Sequence, residues 1–369
     1  MTLMIFALLA TGLALLTGGA EVLVRGASRL AIAAGISPLV VGLTVVAYAT
    51  SSPEMAVSVK AALAGQPDLA LGNVLGSNIF NVLFILGISA LIIPLVVHRQ
   101  LVRREVPIMI GAAVACWGFA ADGRIARLEG LALTAGAIGY TIWTVQASRA
   151  RTSQAEPRAR RPDMHLKDWA LNLLMVAGGL GLLVLGARLF VTAAVDLARA
   201  FGLSDLAIGM TIVAAGTSLP EVATSIIAAV RGERDIAVGN VVGSNIFNIL
   251  AVLGFAAALS SSGMAVPAPA LALDIPVMVA VSLVCLPIFF TDFTISRWEG
   301  GLLLALYLGY ASYLLLAAQH HSAGAILGGV MLVFVLPITV LALVTTSIAA
   351  LGRQRSAAQD QPPKGGITG

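Results

Sequence analysis

Charge is scarce in this chain. Of its 369 residues 11% are Asp, Glu, Lys or Arg, against about 25% in ordinary soluble domains, while 59% are hydrophobic and the mean hydropathy is +0.96. Too few charges remain to cover a water-facing surface, which excludes a soluble globular class and implies a membrane-embedded one. Cysteine is scarcer still. Cys116 and Cys285 fall in separate apolar runs, so neither a disulfide framework nor a thiolate metal motif is indicated. The four histidines (His98, His165, His320, His321) sit in short polar connections and not at ligand spacing. No Ser/His or Asp/Asp arrangement and no nucleotide loop occurs, so an enzyme is not expected. The net charge of +4 comes from too few residues to mark a nucleic-acid surface, and its meaning lies in where those residues fall.

What the chain does have is long apolar runs. Segments able to cross a bilayer, about 20 residues each, lie near 3–24, 38–63, 69–95, 105–121 and 128–147. A second set lies near 169–196, 205–230, 236–260, 275–291 and 300–318, and one more near 323–352. The opening stretch "MTLMIFALLATGLALLTGGAE" lacks the basic n-region of a signal peptide and reads as a first transmembrane helix. The expected fold class is therefore an all-α polytopic membrane protein of about 11 spans. With the N-terminus outside, 17 of the 22 Lys and Arg residues fall on inward-facing connections, which by the positive-inside rule puts the C-terminus in the cytoplasm.

The two sets of spans repeat one another. A shift of 167 residues lays Gly42–Asn81 over Gly209–Asn248 without a gap, with 24 of 40 positions identical. The match extends outward, "EVPIMI" at 105 answering "DIPVMV" at 274. Five spans separate equivalent positions, an odd number, so the second copy should lie upside down relative to the first, as in many secondary transporters. The expected organisation is a first five-helix repeat over 1–147, a short basic cytoplasmic linker over 148–168, and a second repeat over 169–318. An additional helix at 323–352 and a disordered tail at 353–369 complete it.

Each copy carries T-S-x-P-E within a span, at 50–54 and 217–221. Proline lacks an N–H, so Pro53 leaves the carbonyl near Ala49 without its helical partner. Such a carbonyl is tolerated in lipid only if something else satisfies it. Thr50 and Ser51, and equally Thr217 and Ser218, add hydroxyls one turn before Glu54 and Glu221. The following helix of each copy brings Asn73, Ser77 and Asn81, or Asn240, Ser244 and Asn248, onto one face in steps of four. Glycines 72 and 76, and 239 and 243, allow a neighbouring helix to come close. Face to face, the two copies would form a cage of carboxylate, hydroxyl, amide and carbonyl oxygens, suited to hard cations such as Ca²⁺, Na⁺ and Mg²⁺. A lone Pro-Glu would read as a kink with a snorkelling acid; two related by a repeat point to a binding site. Asp68 and Asp235 read as helix N-caps, Glu129 and Glu299 as interfacial, and Lys60 as snorkelling. Arg188 stands where the first copy has Glu21, a swap that the pattern leaves without a role.

"GLTVVAYATSSPE…GNVLGSNIFN" and "GMTIVAAGTSLPE…GNVVGSNIFN" resemble the two alpha repeats of the calcium:cation antiporter superfamily, specifically its sodium/calcium exchanger branch. The resemblance implies two inverted five-helix halves holding ions between the second, third, seventh and eighth helices. It implies ligands at Ala47 (carbonyl), Thr50, Ser51, Glu54, Ser77 and Asn81, and at Ala214 (carbonyl), Thr217, Ser218, Glu221, Ser244 and Asn248. It also implies that the first and sixth helices slide across the core to switch access. Asn248 departs from family members with Asp there, which argues against potassium dependence. The short linker leaves no room for calcium-sensor domains. The expected function is a Na⁺/Ca²⁺ antiporter without a cofactor, its partners being the two ions and the lipid bilayer, and the expected location is a prokaryotic inner membrane. The alternative is a Ca²⁺/H⁺ antiporter using the same two glutamates, although "GNVLG" lacks the acid that such exchangers usually carry. A passive channel would not need a repeated central site.

Overall fold

Lipid offers a peptide group no partner, so an apolar chain closes its own hydrogen bonds inside helices. The computed structural model describes residues 2–155, 165–201, 214–290 and 293–318, and most of that length is helical. Among the described residues, six helices are long and apolar enough to cross a membrane. They include α1 (Thr2–Ala34), α4 (Pro67–Ile92), α7 (Leu166–Ala200) and α9 (Arg234–Leu259). The other two are α10 (Ala270–Phe290) and α11 (Arg297–Ala318). A seventh crossing forms if α2 (Pro38–Thr50) and α3 (Ser52–Leu63), bent by 47° at their junction, count as one. The runs expected near 105–121 and 128–147 form α5 (Val106–Ala120) and α6 (Arg127–Ala155). Of the run expected at 205–230, the described part is a short turn from Ala214 and α8 (Leu219–Val230). The eleventh run and the tail lie outside the described residues, as does the centre of the linker.

α4 and α9 are mostly buried, whereas α1 and α7 show most of their surface, so the repeated motifs occupy the centre of the bundle. Two small strand pairs tie the halves together. β1 (Leu95–Val96) runs antiparallel to β4 (Thr294–Ile295), and β2 (Arg124–Ile125) antiparallel to β3 (Met264–Ala265). In each pair the segment after the third helix of one half meets the segment between the fourth and fifth of the other.

Local chemistry sets the helix ends. Pro67 takes the first helical position, where its missing N–H costs nothing, so α4 starts there and Gln66 is the N-cap. Asp68 is thus a first-turn residue and not the cap expected from the sequence, and Asp235 takes the same place in α9 behind Glu233. Both carboxylates still face the positive end of a helix dipole. Glu129 and Glu299, expected at the interface, turn back to cap the helices that they open. Glu129 accepts the Ala126 N–H at 2.7 Å, and Glu299 accepts the Ser296 N–H at 2.8 Å and its hydroxyl at 2.6 Å. Glu299 is fully buried.

α1 and α7 pack antiparallel along a seam of glycines that the repeat pattern did not disclose. A Cβ on Gly179 would lie 2.6 Å from the Leu23 nitrogen and 2.8 Å from the Gly19 oxygen, and Gly12 and Gly186 meet in the same way. Close backbone contact along this length makes the two helices one body. Gly239 and Gly243 likewise press against the backbone of α2 near Leu39 and Leu43; the equivalent partners of Gly72 and Gly76, near 206–210, lie outside the described residues.

Gly179→Leu forces backbone apart along this seam and should destabilise the protein by about 1–3 kcal/mol. Gly178→Leu, with no neighbour within 4 Å among the described residues, serves as its control. Thermal unfolding in detergent should show a lowered midpoint for the first variant and a near wild-type one for the second.

Candidate functional site

Both T-S-x-P-E motifs break their helix at the second residue. Ser51 has φ −83° and ψ 7°, and Ser218 has φ −89° and ψ 6°, outside the helical well; a new helix starts at the next residue, with proline in its first turn. The break puts each glutamate in the first turn of a helix, α3 or α8, near the positive end of its dipole. The Ala49 carbonyl expected to lie open accepts the Ser52 hydroxyl at 2.5 Å. The Ala47 carbonyl accepts the Ser51 N–H at 3.0 Å and the Thr50 hydroxyl at 3.3 Å. Of Ala214 the structure describes the backbone, at the start of the turn that precedes Thr217.

The two motifs meet, and each glutamate is held by the other half. Ser51 donates to Glu221 Oε1 at 2.9 Å, and Ser218 donates to Glu54 Oε1 at 2.9 Å. The threonines cross in the same sense: Thr50 donates to Asn240 Oδ1 at 3.1 Å, and Thr217 to Asn73 Oδ1 at 3.5 Å. The asparagine amides then turn to the helix of their own half, Asn73 to Ser58 at 2.9 Å and Asn240 to Ser225 at 3.0 Å. Asn248 donates to Ser77 at 3.2 Å, which itself donates to the Asn73 carbonyl at 2.6 Å. Asn81 donates to Asn245 Oδ1 at 3.0 Å. Thr50, Ser51, Glu54, Ser77, Asn81, Ser218, Glu221, Ser244 and Asn248 are all buried, while Thr217 is half-buried.

Five oxygens of this set are left over. Glu54 Oε2, Glu221 Oε2, Asn81 Oδ1, Asn248 Oδ1 and Ser244 Oγ are buried without a hydrogen-bond partner among the described residues. Neither glutamate forms an ion pair among them, where the ion pairs involve Glu21 with Arg25 and Arg231. A buried carboxylate with no cationic side chain beside it must be neutralised by a bound cation or a proton. Amide carbonyls accept no proton at neutral pH and call for a donor or a cation. The donors are all oxygen, as hard cations require.

Backbone geometry adds a feature that no motif announced. π-helical segments begin at Asn81 (Asn81–Leu86) and at Asn248 (Asn248–Leu253). The wider turn re-aims the asparagine and lies where such turns often occur, at a functional position. Sequence reasoning also passed over Ser58, Ser225, Ser52 and Asn245. Ser58 and Ser225 follow the glutamates by four residues in both copies, so the same-face spacing that picked out Asn73 and Ser77 already contained their signal.

Comparison with known proteins identifies the family. The family model described as "Sodium/calcium exchanger protein" matches residues 4–146 and 171–316. The putative antiporter CaxA of Alkalimonas amylolytica is 40% identical over 314 residues, 83% of this chain and 97% of that protein. Inner membrane protein YrbG of Escherichia coli (strain K12) is 41% identical over 258 residues, 69% of this chain and 79% of its own length. The solved sodium-calcium exchanger NCX_Mj, soaked without Na⁺ and Ca²⁺, superposes with a TM-score of 0.72 at 32% identity, covering 84% of this chain and 98% of that one. The chain is an integral membrane antiporter and belongs to the sodium/calcium exchanger family.

Proposed function

We propose that the protein exchanges Na⁺ for Ca²⁺ by alternating access, at one buried site shared by Glu54 and Glu221. The observation that carries this reading is the set of five partnerless oxygens, two carboxylate, two amide and one hydroxyl, all on residues chosen from the repeat. Protons on the carboxylates would remove their charge and add two O–H donors. A metal ion of six to eight oxygen ligands satisfies the five oxygens together. Ala47, Thr50, Ser51, Ser77, Ala214, Thr217 and Ser218 complete the proposed ligand set, through carbonyl or hydroxyl oxygens. Ca²⁺ and Na⁺ compete because one ion cannot leave the two carboxylates free for the other, and that competition is the physical basis of exchange.

The reading includes five-helix repeats of opposite orientation, the N-terminus outside, an eleventh helix at 323–352 and placement in a prokaryotic inner membrane. The crosswise strand pairs support the inversion: copies in the same orientation would bring equivalent loops together, whereas each pair joins non-equivalent loops. In this scheme the glycine-sealed α1–α7 pair moves as a body across the site, exposing it to one side at a time. The rival Ca²⁺/H⁺ reading uses the same carboxylates, which protons would also neutralise.

Purified protein in Na⁺-loaded liposomes, diluted into Na⁺-free buffer with radioactive Ca²⁺, tests the assignment. Uptake should require the Na⁺ gradient. Glu54→Gln and Glu221→Gln should each weaken transport more than about 100-fold, the scale of about 3 kcal/mol for halving a buried charge constellation. Uptake that ignores Na⁺ and follows an imposed pH gradient would establish the proton reading instead.

The serines give a graded test in the same assay. Ser51→Ala removes a hydroxyl ligand and the donor to Glu221, and should raise the half-saturating Ca²⁺ about tenfold while sparing the maximal rate. Ser218→Ala, which strips Glu54 of its donor, should match it closely.

A further inference from the structure

A cavity of about 570 Å³ opens beside the proposed site, lined by the starts of α3 and α8 and by one face of α7. Pro53 and Pro220 both line it, and each directly precedes one of the two glutamates. Thr217, a proposed ligand, lines it too. The wall is otherwise mostly apolar, including Val184 and Val191 of α7, with one formal charge on it: Arg188. Among the described residues the Arg188 guanidinium has no ion-pair partner.

The repeat makes that charge conspicuous. Arg188 occupies the position of Glu21 in the first copy. Glu21 is paired with Arg25 and Arg231. The positions equivalent to those arginines are Thr192 and Ala64, so among the described residues the second copy carries a single unpaired guanidinium where the first carries a carboxylate held between two. A cavity with low-dielectric walls focuses the field of a charge on its lining onto whatever enters. Arg188 therefore gives this cavity a positive potential towards an entering cation.

We propose that Arg188 sets the divalent-to-monovalent preference of cation entry through this cavity, disfavouring Ca²⁺ relative to Na⁺ on that face of the membrane alone. The inference rests on Glu54 and Glu221 being the cation site. A fixed potential acts on an ion in proportion to its charge, so the factor by which Arg188 reduces Ca²⁺ occupancy is the square of its factor for Na⁺. Salt screens the effect, because the Debye length falls from about 10 Å at 0.1 M to about 3 Å at 1 M. The asymmetry would make the transporter take up Ca²⁺ more readily from one side than from the other without any difference in the site itself.

The test measures half-saturating Ca²⁺ and Na⁺ in right-side-out and everted membrane vesicles, for wild type, Arg188→Gln and Arg188→Lys. Arg188→Gln should lower half-saturating Ca²⁺ about threefold to tenfold at low ionic strength, in one vesicle orientation only, with Na⁺ shifted by the square root of that factor. Its maximal rate should stay at the wild-type level, and Arg188→Lys should behave as wild type. Wild type by itself should gain apparent Ca²⁺ affinity on that side as an inert salt is added, a reading that needs no variant to fold. Equal shifts for both ions, equal shifts in both orientations, or a lysine variant that copies glutamine would overturn the proposal, as would no shift at all. The glutamate variants separate the two levels of the reading. Transport lost in Glu54→Gln and Glu221→Gln, with Arg188→Gln unchanged, sinks only the role of Arg188; transport that survives in both glutamate variants sinks the site and this inference with it.

Discussion

Two carboxylates lie buried in the middle of an apolar bundle, and the side chains that touch them are neutral hydroxyls. Ionised acids in such surroundings cost several kcal/mol on insertion scales, and the hydrogen bonds from Ser51 and Ser218 offset only part of that. The remainder has to come from a positive charge that the fold does not itself contain. Because each glutamate takes its donor from the opposite half, neither half holds a complete site. The strand pairs at 95–96 with 294–295 and 124–125 with 264–265, together with the close contact of α9 on α2, hold the halves in the register that the site demands.

Irregular backbone gathers around the same residues. The helices break at Ser51 and Ser218, and π-helical turns start at Asn81 and Asn248. A straight helix would direct its carbonyls along its own axis and its side chains in a fixed spiral. Breaks and widened turns release hydroxyl and amide oxygens towards a neighbour, and non-helical backbone survives at membrane depth only where protein surrounds it. The buried position of α4 and α9 supplies that shelter.

The duplication is close but not perfect, and it departs even inside the motif, where Tyr48, Ala49 and Ser52 answer Ala215, Gly216 and Leu219. The crossed pairs Thr50–Asn240 and Thr217–Asn73 show the core nearly equivalent in both copies. Further out, Glu21 is bound to two arginines while its equivalent, Arg188, faces a cavity. In the proposed scheme, where both halves share the site, differences between the halves are the source of sidedness. The swapped charge is one of them.

Much of this was legible in the chain itself. Hydropathy located the long apolar helices, six or seven of which are long enough to cross a membrane among the described residues, because lipid leaves such a segment no structure but a helix. The exact 167-residue repeat of T-S-x-P-E and G-N-V-x-G-S-N-I-F-N picked out residues that the fold brings into one network. Those signals are local: composition over about 20 residues, and same-face spacing within a helix. The helix caps were misjudged at Asp68 and Asp235 because the N-cap is decided by backbone geometry one or two residues upstream. The tertiary structure alone decided that Ser51 serves Glu221 and not its own neighbour Glu54, that α1 and α7 are sealed by glycines, and that Arg188 lines the cavity beside both prolines. Each of these depends on how far apart two distant segments come to lie, a quantity set by packing between helices and carried by neither segment separately.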